Sequence, residues 1–518
     1  MTKFFDFLTS IRAGLSRSIH EKLFPGYLIL GWILLWAVLS ASPAFAVPAA
    51  PTTHALAQPD GWTFNARQWG DEWSHGWETT EGYTILRDAA SRYWVYAVHD
   101  DTGNLMRSSA PVGQNGPPVG VAPKLRPAPE ALSKAAKTFR ALQATPAQPG
   151  IPLSGTANVL TVLINFSDRT TTYGSTNFNT LFFGTGVYSM KDYYTEVSYG
   201  RFTVSAGPGG IADWYQASQS HDYYGANVET GNVKDQWPGD LIYEAVRAAD
   251  NANFNFAPYD QDGDCQVDVV NAIHQGSGEE ASGLAADIWS HSWDLNSARA
   301  WNRSHYGAYT TKSPCKAGGY IMVNRYVIQP EIFAGGMTTM GVFAHEYGHA
   351  LGLPDLYDYD FSSQGVGNWS LMAYGTWNGV MRDGDRPAHL DAWSKYKLGW
   401  ITPTPISSGS PRSPIIQPAY AYASSYQLLD GGPTVGGEYF LIENRQKGGF
   451  DAGLPGSGLL IWHIDESRST NDQECYPGGP SCAAQHYKVA LVQADNLWNL
   501  EKNQNRGDDG DPYPGASH

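Results

Sequence analysis

The stretch His345-Glu346-Tyr347-Gly348-His349-Ala350-Leu351-Gly352-Leu353-Pro354-Asp355 constrains this chain more than any other. Side chains four apart lie on one face of a helix, so His345 and His349 can offer ring nitrogens to one ion, with Glu346 beside it. The helix is predicted from Thr338 or Thr339, both good capping types, to Gly352, which takes the left-handed conformation that ends helices. Beyond that turn, Asp355 is placed to give zinc a carboxylate third ligand while a fourth position stays open for water. Asp358 and Asp360 compete for the role, and the register after the glycine favours Asp355. A thermolysin-like site would instead need a glutamate on a following helix, yet no Glu occurs between Glu346 and Glu438.

Downstream, Asn368-Trp369-Ser370-Leu371-Met372-Ala373-Tyr374-Gly375 follows at a suggestive distance. With a zinc motif upstream, Met372 reads as the methionine of the turn beneath the metal in metzincins rather than as a mere gap-filler. Tyr374 is then either an oxyanion donor or a buried structural tyrosine. Tyr320 to Ile328 alternates and is rich in β-formers, which predicts a strand before the helix, of the kind that pairs with an extended substrate.

At 518 residues more than one folding unit is expected. Four basic residues lie before Gly26, an apolar run follows from Tyr27 to Leu39, and Ala44-Phe45-Ala46 is a small-residue cleavage pattern. This predicts a secretory signal peptide over 1–46, because thirteen apolar residues fall short of the roughly 20 needed to span a bilayer. The segment carries four basic and two acidic side chains, so its removal moves the formal charge from −16 to −18. Such acidity disfavours nucleic acid and anionic membranes as partners and suits an extracellular, monomeric protein that is not inserted in a membrane after signal cleavage.

Residues 47–153 read as a propeptide and linker: a small β-domain around Gly82-Tyr83-Thr84-Ile85-Leu86 and Tyr93-Trp94-Val95-Tyr96-Ala97-Val98, then a Pro/Ala-rich stretch. Residues 154–405 form the expected catalytic unit, opening on a buried strand at Val159–Phe166, with helices over Met190–Ser198 and from Asp240 to Ala249. Residues 406–518 are expected to be β-rich, with strands at Glu438–Glu443 and Gly458–Asp465. An even count of exported cysteines predicts two disulfides. Three pairings exist; closing the short Pro/Gly loop between Cys475 and Cys482 leaves Cys265 with Cys315, the favoured set.

Asp260, Asp262, Asp264, Gln266 and Asp268 alternate along one loop, the arrangement that wraps a hard cation in oxygen, so structural calcium is expected. Cys265 stands where an EF-hand has glycine, and Asn271 replaces its terminal glutamate. Asp508, Asp509 and Asp511 form a second, weaker candidate. No cysteine precedes Cys265, so a propeptide thiolate cannot cap the zinc. Asp71, within Trp69-Gly70-Asp71-Glu72 and near His75, is a candidate carboxylate switch, with a capped turn as its alternative.

Together these residues resemble the immune inhibitor A family of secreted metzincin-type metallopeptidases. The likeness extends to Lys191-Asp192-Tyr193-Tyr194 with Ser198-Tyr199-Gly200, to Ile288-Trp289-Ser290-His291, and to Gly456-Ser457-Gly458-Leu459-Leu460-Ile461-Trp462-His463-Ile464-Asp465. The resemblance implies a secreted zinc endopeptidase made as a precursor, with calcium-stabilised loops and protein or peptide substrates. It also implies further strands beyond Gly515. The expected architecture is α+β: a metzincin-like domain with an active-site helix and Met-turn, preceded by a small β-rich propeptide and followed by a β-rich region. Glu346 is the expected general base. A calcium-stabilised extracellular binding protein with a non-catalytic zinc site is the alternative, and an intact Glu346 argues against it.

Overall fold

Leu160–Asn165 is a mostly apolar run and Val270–Ser277 is buried over its first six residues, as strands covered on both faces are, and the two lie side by side in the middle of a seven-stranded sheet. The computed structural model describes residues 45–128, 151–227, 235–406, 415–483 and 485–515, all within one compact unit, Ser42–His518. Most of the expected signal peptide and residues 129–150 of the expected linker lie outside them. Among the described residues no helix is long and apolar enough to cross a membrane.

The sheet runs in the order Phe45–Ala46, His291–Asp294, Arg325–Phe333, Val270–Ser277, Leu160–Asn165, Ile211–Gln216, with Gly336–Met337 folded back on Arg325–Phe333. The last four strands are parallel, and His291–Asp294 runs antiparallel along Arg325–Phe333. Alternation splits the side chains between two layers. Val162, Ile164, Ala272 and Ile328 pack on the helix Pro238–Asn251, whereas Leu163, Ile273 and Val327 pack on Met190–Val197 and Met340–Ala350. The helix at Pro238–Asn251 is longer at both ends than its periodicity predicted; at its start Pro238 supplies a favourable first turn.

The predicted strand Tyr320–Ile328 is two strands. Asn324 interrupts it: its carbonyl accepts from Leu295 N–H and its side chain from Asn296 N–H. Tyr320–Val323 therefore pairs with Tyr309–Pro314, while Arg325–Phe333 enters the main sheet.

Residues 53–111 form a six-stranded antiparallel meander that contains both strands expected near Thr84 and Trp94. Its own buried cluster is only Ala66, Ile85, Tyr96 and Val112. Its hairpin instead leans on the rest of the molecule, with Trp73 edge-on to Trp293 and His75 stacked on Trp289 at 4.6 Å.

Both strands expected in the C-terminal region occur, as Glu438–Arg445 paired with Gly458–Asp465 in a five-stranded sheet. Tyr439, Leu441, Leu460, Trp462 and Ile464 join the same core as the helix Met340–Ala350. At the join Arg445 is fully buried, donating to Asp451 at 2.7 Å, to Glu443 at 3.2 Å and to the Trp369 carbonyl at 3.1 Å. Burial opposes ionisation of Asp451, but the Arg445 guanidinium outweighs it and holds the carboxyl down to about 2. Because that folded value lies below the unfolded one, the stabilisation is complete above about pH 4 and is lost as pH falls toward 2. Arg445→Met, which leaves the buried Asp451 without its guanidinium while Glu443 keeps Lys395, should cost about 3–5 kcal/mol in urea denaturation at neutral pH.

Candidate metal centre

The helix Met340–Ala350 begins at Thr339 in the capping position, but the Thr339 hydroxyl donates to the Asp383 carbonyl instead of capping the helix. Its end follows the predicted reversal. Gly352 has φ +91°, and Leu353 N–H closes back on the Gly348 carbonyl at 3.1 Å. That turn returns the chain to the helix face and delivers Asp355 to the two histidines.

Nε2 of His345 and Nε2 of His349 stand 3.2 Å apart, and Asp355 Oδ1 lies 3.1 and 3.3 Å from them. Nδ1 of His345 is 2.8 Å from the Leu371 carbonyl, and Nδ1 of His349 is 2.8 Å from the Leu353 carbonyl. A carbonyl only accepts, so each ring carries its proton on Nδ1 and turns a lone pair inward. Burial pushes His349 below its ordinary value, which favours the neutral, ligating ring. Three buried acceptors without a hydrogen between them call for a cation. A tetrahedral zinc shell with bonds of about 2.0–2.1 Å has edges of about 3.3–3.4 Å, so the residues fit that ion.

Of the rival carboxylates, Asp358 accepts from Ser362, Ser363 and the Asp360 N–H, which ties it into its own loop. Glu346 is fully buried beside the ligands. Burial pushes its carboxyl well above the usual range, and the charge of Asp355 adds to that. Met372 is buried beneath the helix; a Cβ on Gly348 would lie 2.6 Å from its sulfur, so the glycine leaves the room that the methionine takes up.

Tyr374 is buried, as its structural alternative has it. Its ring lies 3.9 Å under the Arg506 guanidinium, lining a cavity of about 530 Å³ with Trp69, Lys124 and Arg126. Asp71 takes the capped-turn alternative: it accepts from the N–H groups of Trp73 and Ser74, and from the Tyr357 hydroxyl at 3.1 Å. The group that reaches Glu346 is Val47, whose N–H donates to Oε1 at 2.9 Å.

Val47 belongs to an extended segment that sequence reasoning did not place in the cleft. Phe45–Ala46 pairs antiparallel with His291–Ser292, and the Phe45 ring stacks on His349 at 4.3 Å. The carbonyls of Ala46, Val47 and Pro48 accept in turn from Tyr357, Trp289 and Trp377. The edge that takes up this segment is His291–Asp294. A cleavage pattern and a substrate-like strand share one signature of small residues, which is why the sequence pointed to the first alone.

Both favoured disulfides, Cys265–Cys315 and Cys475–Cys482, are present. In the acidic loop, oxygens of Asp260, Asp262 and Asp268 converge within 4.8 Å, with Cys265 at φ +68° where the expected glycine would turn. Asp264 and Gln266 bond each other instead of joining them. Burial pushes Asp268 up to about 7, and its Oδ2 has no hydrogen-bond partner. Of the tail candidates, Asp508 and Asp511 converge with Asp495, while Asp509 stays outside the group.

Residues 165–401 match the family model of the immune inhibitor A peptidase M6 catalytic domain. A pre-pro-metalloprotease, PrtV, of Vibrio cholerae is 35% identical over 235 residues, which cover 42% of this chain and 24% of that protein. Immune inhibitor A of Bacillus thuringiensis subsp. alesti is 35% identical over 217 residues, 38% of this chain and 30% of that protein. The chain thus matches less than a third of the length of these relatives. It carries a catalytic domain of the immune inhibitor A, peptidase M6, family.

Proposed function

We propose that this chain is a secreted zinc endopeptidase in its precursor form. The observation that carries the reading is the convergence of His345, His349 and Asp355 with a buried Glu346 beside them. Zinc bound there supplies Lewis acidity, polarising a peptide carbonyl and easing the deprotonation of water. The chain's own residues do the rest. The edge strand His291–Asp294 aligns an extended peptide as it aligns Phe45–Ala46, and Tyr357, Trp289 and Trp377 grip backbone carbonyls. Glu346 takes the proton from the attacking water and passes it to the leaving amine. A purely structural zinc site has no use for that carboxylate.

Residues 45–50 occupy the line that substrate would take, with Val47 N–H on the general base. Cleavage after Ala46, the expected site, would make Val47 the first residue and direct its ammonium at Glu346. Either form keeps the base engaged, so the meander of residues 53–111 and its N-terminal strand act as an inhibitory propeptide. The acidic loop holds calcium through Asp260, Asp262 and Asp268, a structural role.

Glu346→Gln should keep the zinc held by His345, His349 and Asp355, so that its zinc content by elemental analysis matches the parent's, while casein cleavage falls about 10²–10⁴-fold; normal cleavage by the zinc-loaded variant would sink the mechanism. Asp355→Ala should lose that zinc itself. A capped peptide copying Phe45 to Ala50 should inhibit the processed enzyme competitively, and no effect at millimolar concentration would refute the assignment of the cleft. Calcium should raise the melting temperature of the zinc-loaded protein, and Asp260→Asn with Asp268→Asn should abolish that shift.

A further inference from the structure

The strand Gly458–Asp465 carries part of a second cluster of imidazole and carboxylate side chains, made of residues separate from the catalytic helix. Its alternation buries Leu460, Trp462 and Ile464 and turns His463 and Asp465 to the opposite face. In the pairing with Glu438–Arg445, Glu438 stands opposite Asp465 and Phe440 opposite His463, which puts Glu438 on the diagonal from His463. His486 arrives from the loop closed by Cys475–Cys482, just ahead of the edge strand Val489–Leu491. Three segments of chain thus meet at one point.

His463 Nε2 lies 3.1 Å from Glu438 Oε1, and His486 Nε2 lies 3.7 Å from the same oxygen and 2.7 Å from Asp465 Oδ2. Ligand atoms of Glu438, His463 and His486 all fall within 4.8 Å of one another. The orientation of His486 follows from its partners. Its Nδ1 faces the Cys482 carbonyl at 3.2 Å, which can only accept, so Nδ1 is the donor side and Nε2 is turned to the cluster. There Nε2 meets two carboxylates, and either a proton on the ring or a metal ion between the groups satisfies them. His345 and His349 are held in the same way, each by a backbone carbonyl on Nδ1.

We infer that Glu438, His463 and His486 form a second divalent-metal site of the zinc class, with Asp465 orienting His486 or completing the shell. Two imidazoles with carboxylate oxygens suit zinc rather than calcium. Arg468 shares Asp465 Oδ2 at 3.3 Å, and Lys488 is drawn off to Glu466, so neither cation fills the space between the rings. The side chains are 20% exposed at His463, 14% at His486 and 55% at Glu438, so the ion can exchange with solvent, unlike one held by the fully covered catalytic ligands.

The site has a structural consequence. The loop between Asp465 and Val489 braces the segment after the third catalytic ligand: Asn471 donates to the Leu356 carbonyl at 2.8 Å, and Tyr487 donates to Ser363. A metal pinning His486 to the sheet fixes both ends of that brace.

The test is zinc titration of full-length protein in excess calcium, which keeps the acidic loops filled. The parent should bind two zinc ions per chain, and the Asp355→Ala chain one, which isolates the second site from the catalytic one. Adding His463→Gln and His486→Gln to Asp355→Ala should remove the remaining zinc, with circular dichroism unchanged. Glu438→Gln, at an exposed position that folding tolerates, should weaken the second ion by about tenfold or more while leaving the first in place. A parent that binds only one zinc overturns the inference. So does a second zinc that survives both the histidine and the Glu438 substitutions.

Discussion

Three acceptor atoms without a hydrogen among them are held 3.1–3.3 Å apart in the dry interior, and the rest of the structure is arranged around that constraint. Left without a cation, the cluster is unfavourable, because lone pairs face a carboxylate away from water. What holds it is covalent and local on one side and long-range on the other. The helix sets the two histidines one turn apart and the Gly352 reversal returns Asp355. The Leu371 and Leu353 carbonyls fix the ring tautomers. Leu371 comes from the turn that carries Met372, so the floor of the site also decides which nitrogen faces the ion.

That floor is supported in turn by the C-terminal region. Arg445 donates to the Trp369 carbonyl, and the Trp369 indole donates to Asp511 at 2.9 Å. Asn471 ties the Leu356 carbonyl to Val489 of the edge strand. Both loops that complete the metal centre, the one after Asp355 and the one before Met372, are therefore held by residues more than a hundred positions away. The β-rich region belongs to the architecture of the site and is not merely appended to it.

How much of this the sequence revealed depended on the range of the interaction. The helix, its glycine stop, Asp355 and the capping box at Ser189 and Asp192 are local, and each was legible from spacing. The disulfides were legible because one short loop favours its own closure. For Tyr374 and Asp71 the sequence left two readings open, because what their side chains meet, the Arg506 guanidinium for one and the Tyr357 hydroxyl for the other, is supplied by tertiary packing. The contact between Val47 and Glu346 spans 299 residues, and no periodicity encodes it. Asn324 was missed because a polar residue inside a β-rich run looks like ordinary alternation until its side chain is seen bonding Asn296.

The N-terminal strand owes its hold on the cleft to little that is particular to its own sequence. Ala46, Val47, Pro48, Ala49 and Ala50 carry small side chains, and most of the bonds they make run through backbone groups that any extended peptide also offers. Its advantage over a substrate must come from attachment, since a tethered segment acts at an effective concentration that a free peptide rarely matches. The attachment is the hairpin of residues 63–79, anchored by Trp73 on Trp293, by His75 on Trp289 and by the 3.3 Å contact of His75 with Glu279. Cutting the chain between that hairpin and the catalytic unit leaves every contact in place and removes only the tether. On the reading proposed above, displacement by substrate would then become a matter of concentration, because the contacts that hold the segment are ones any extended chain can make.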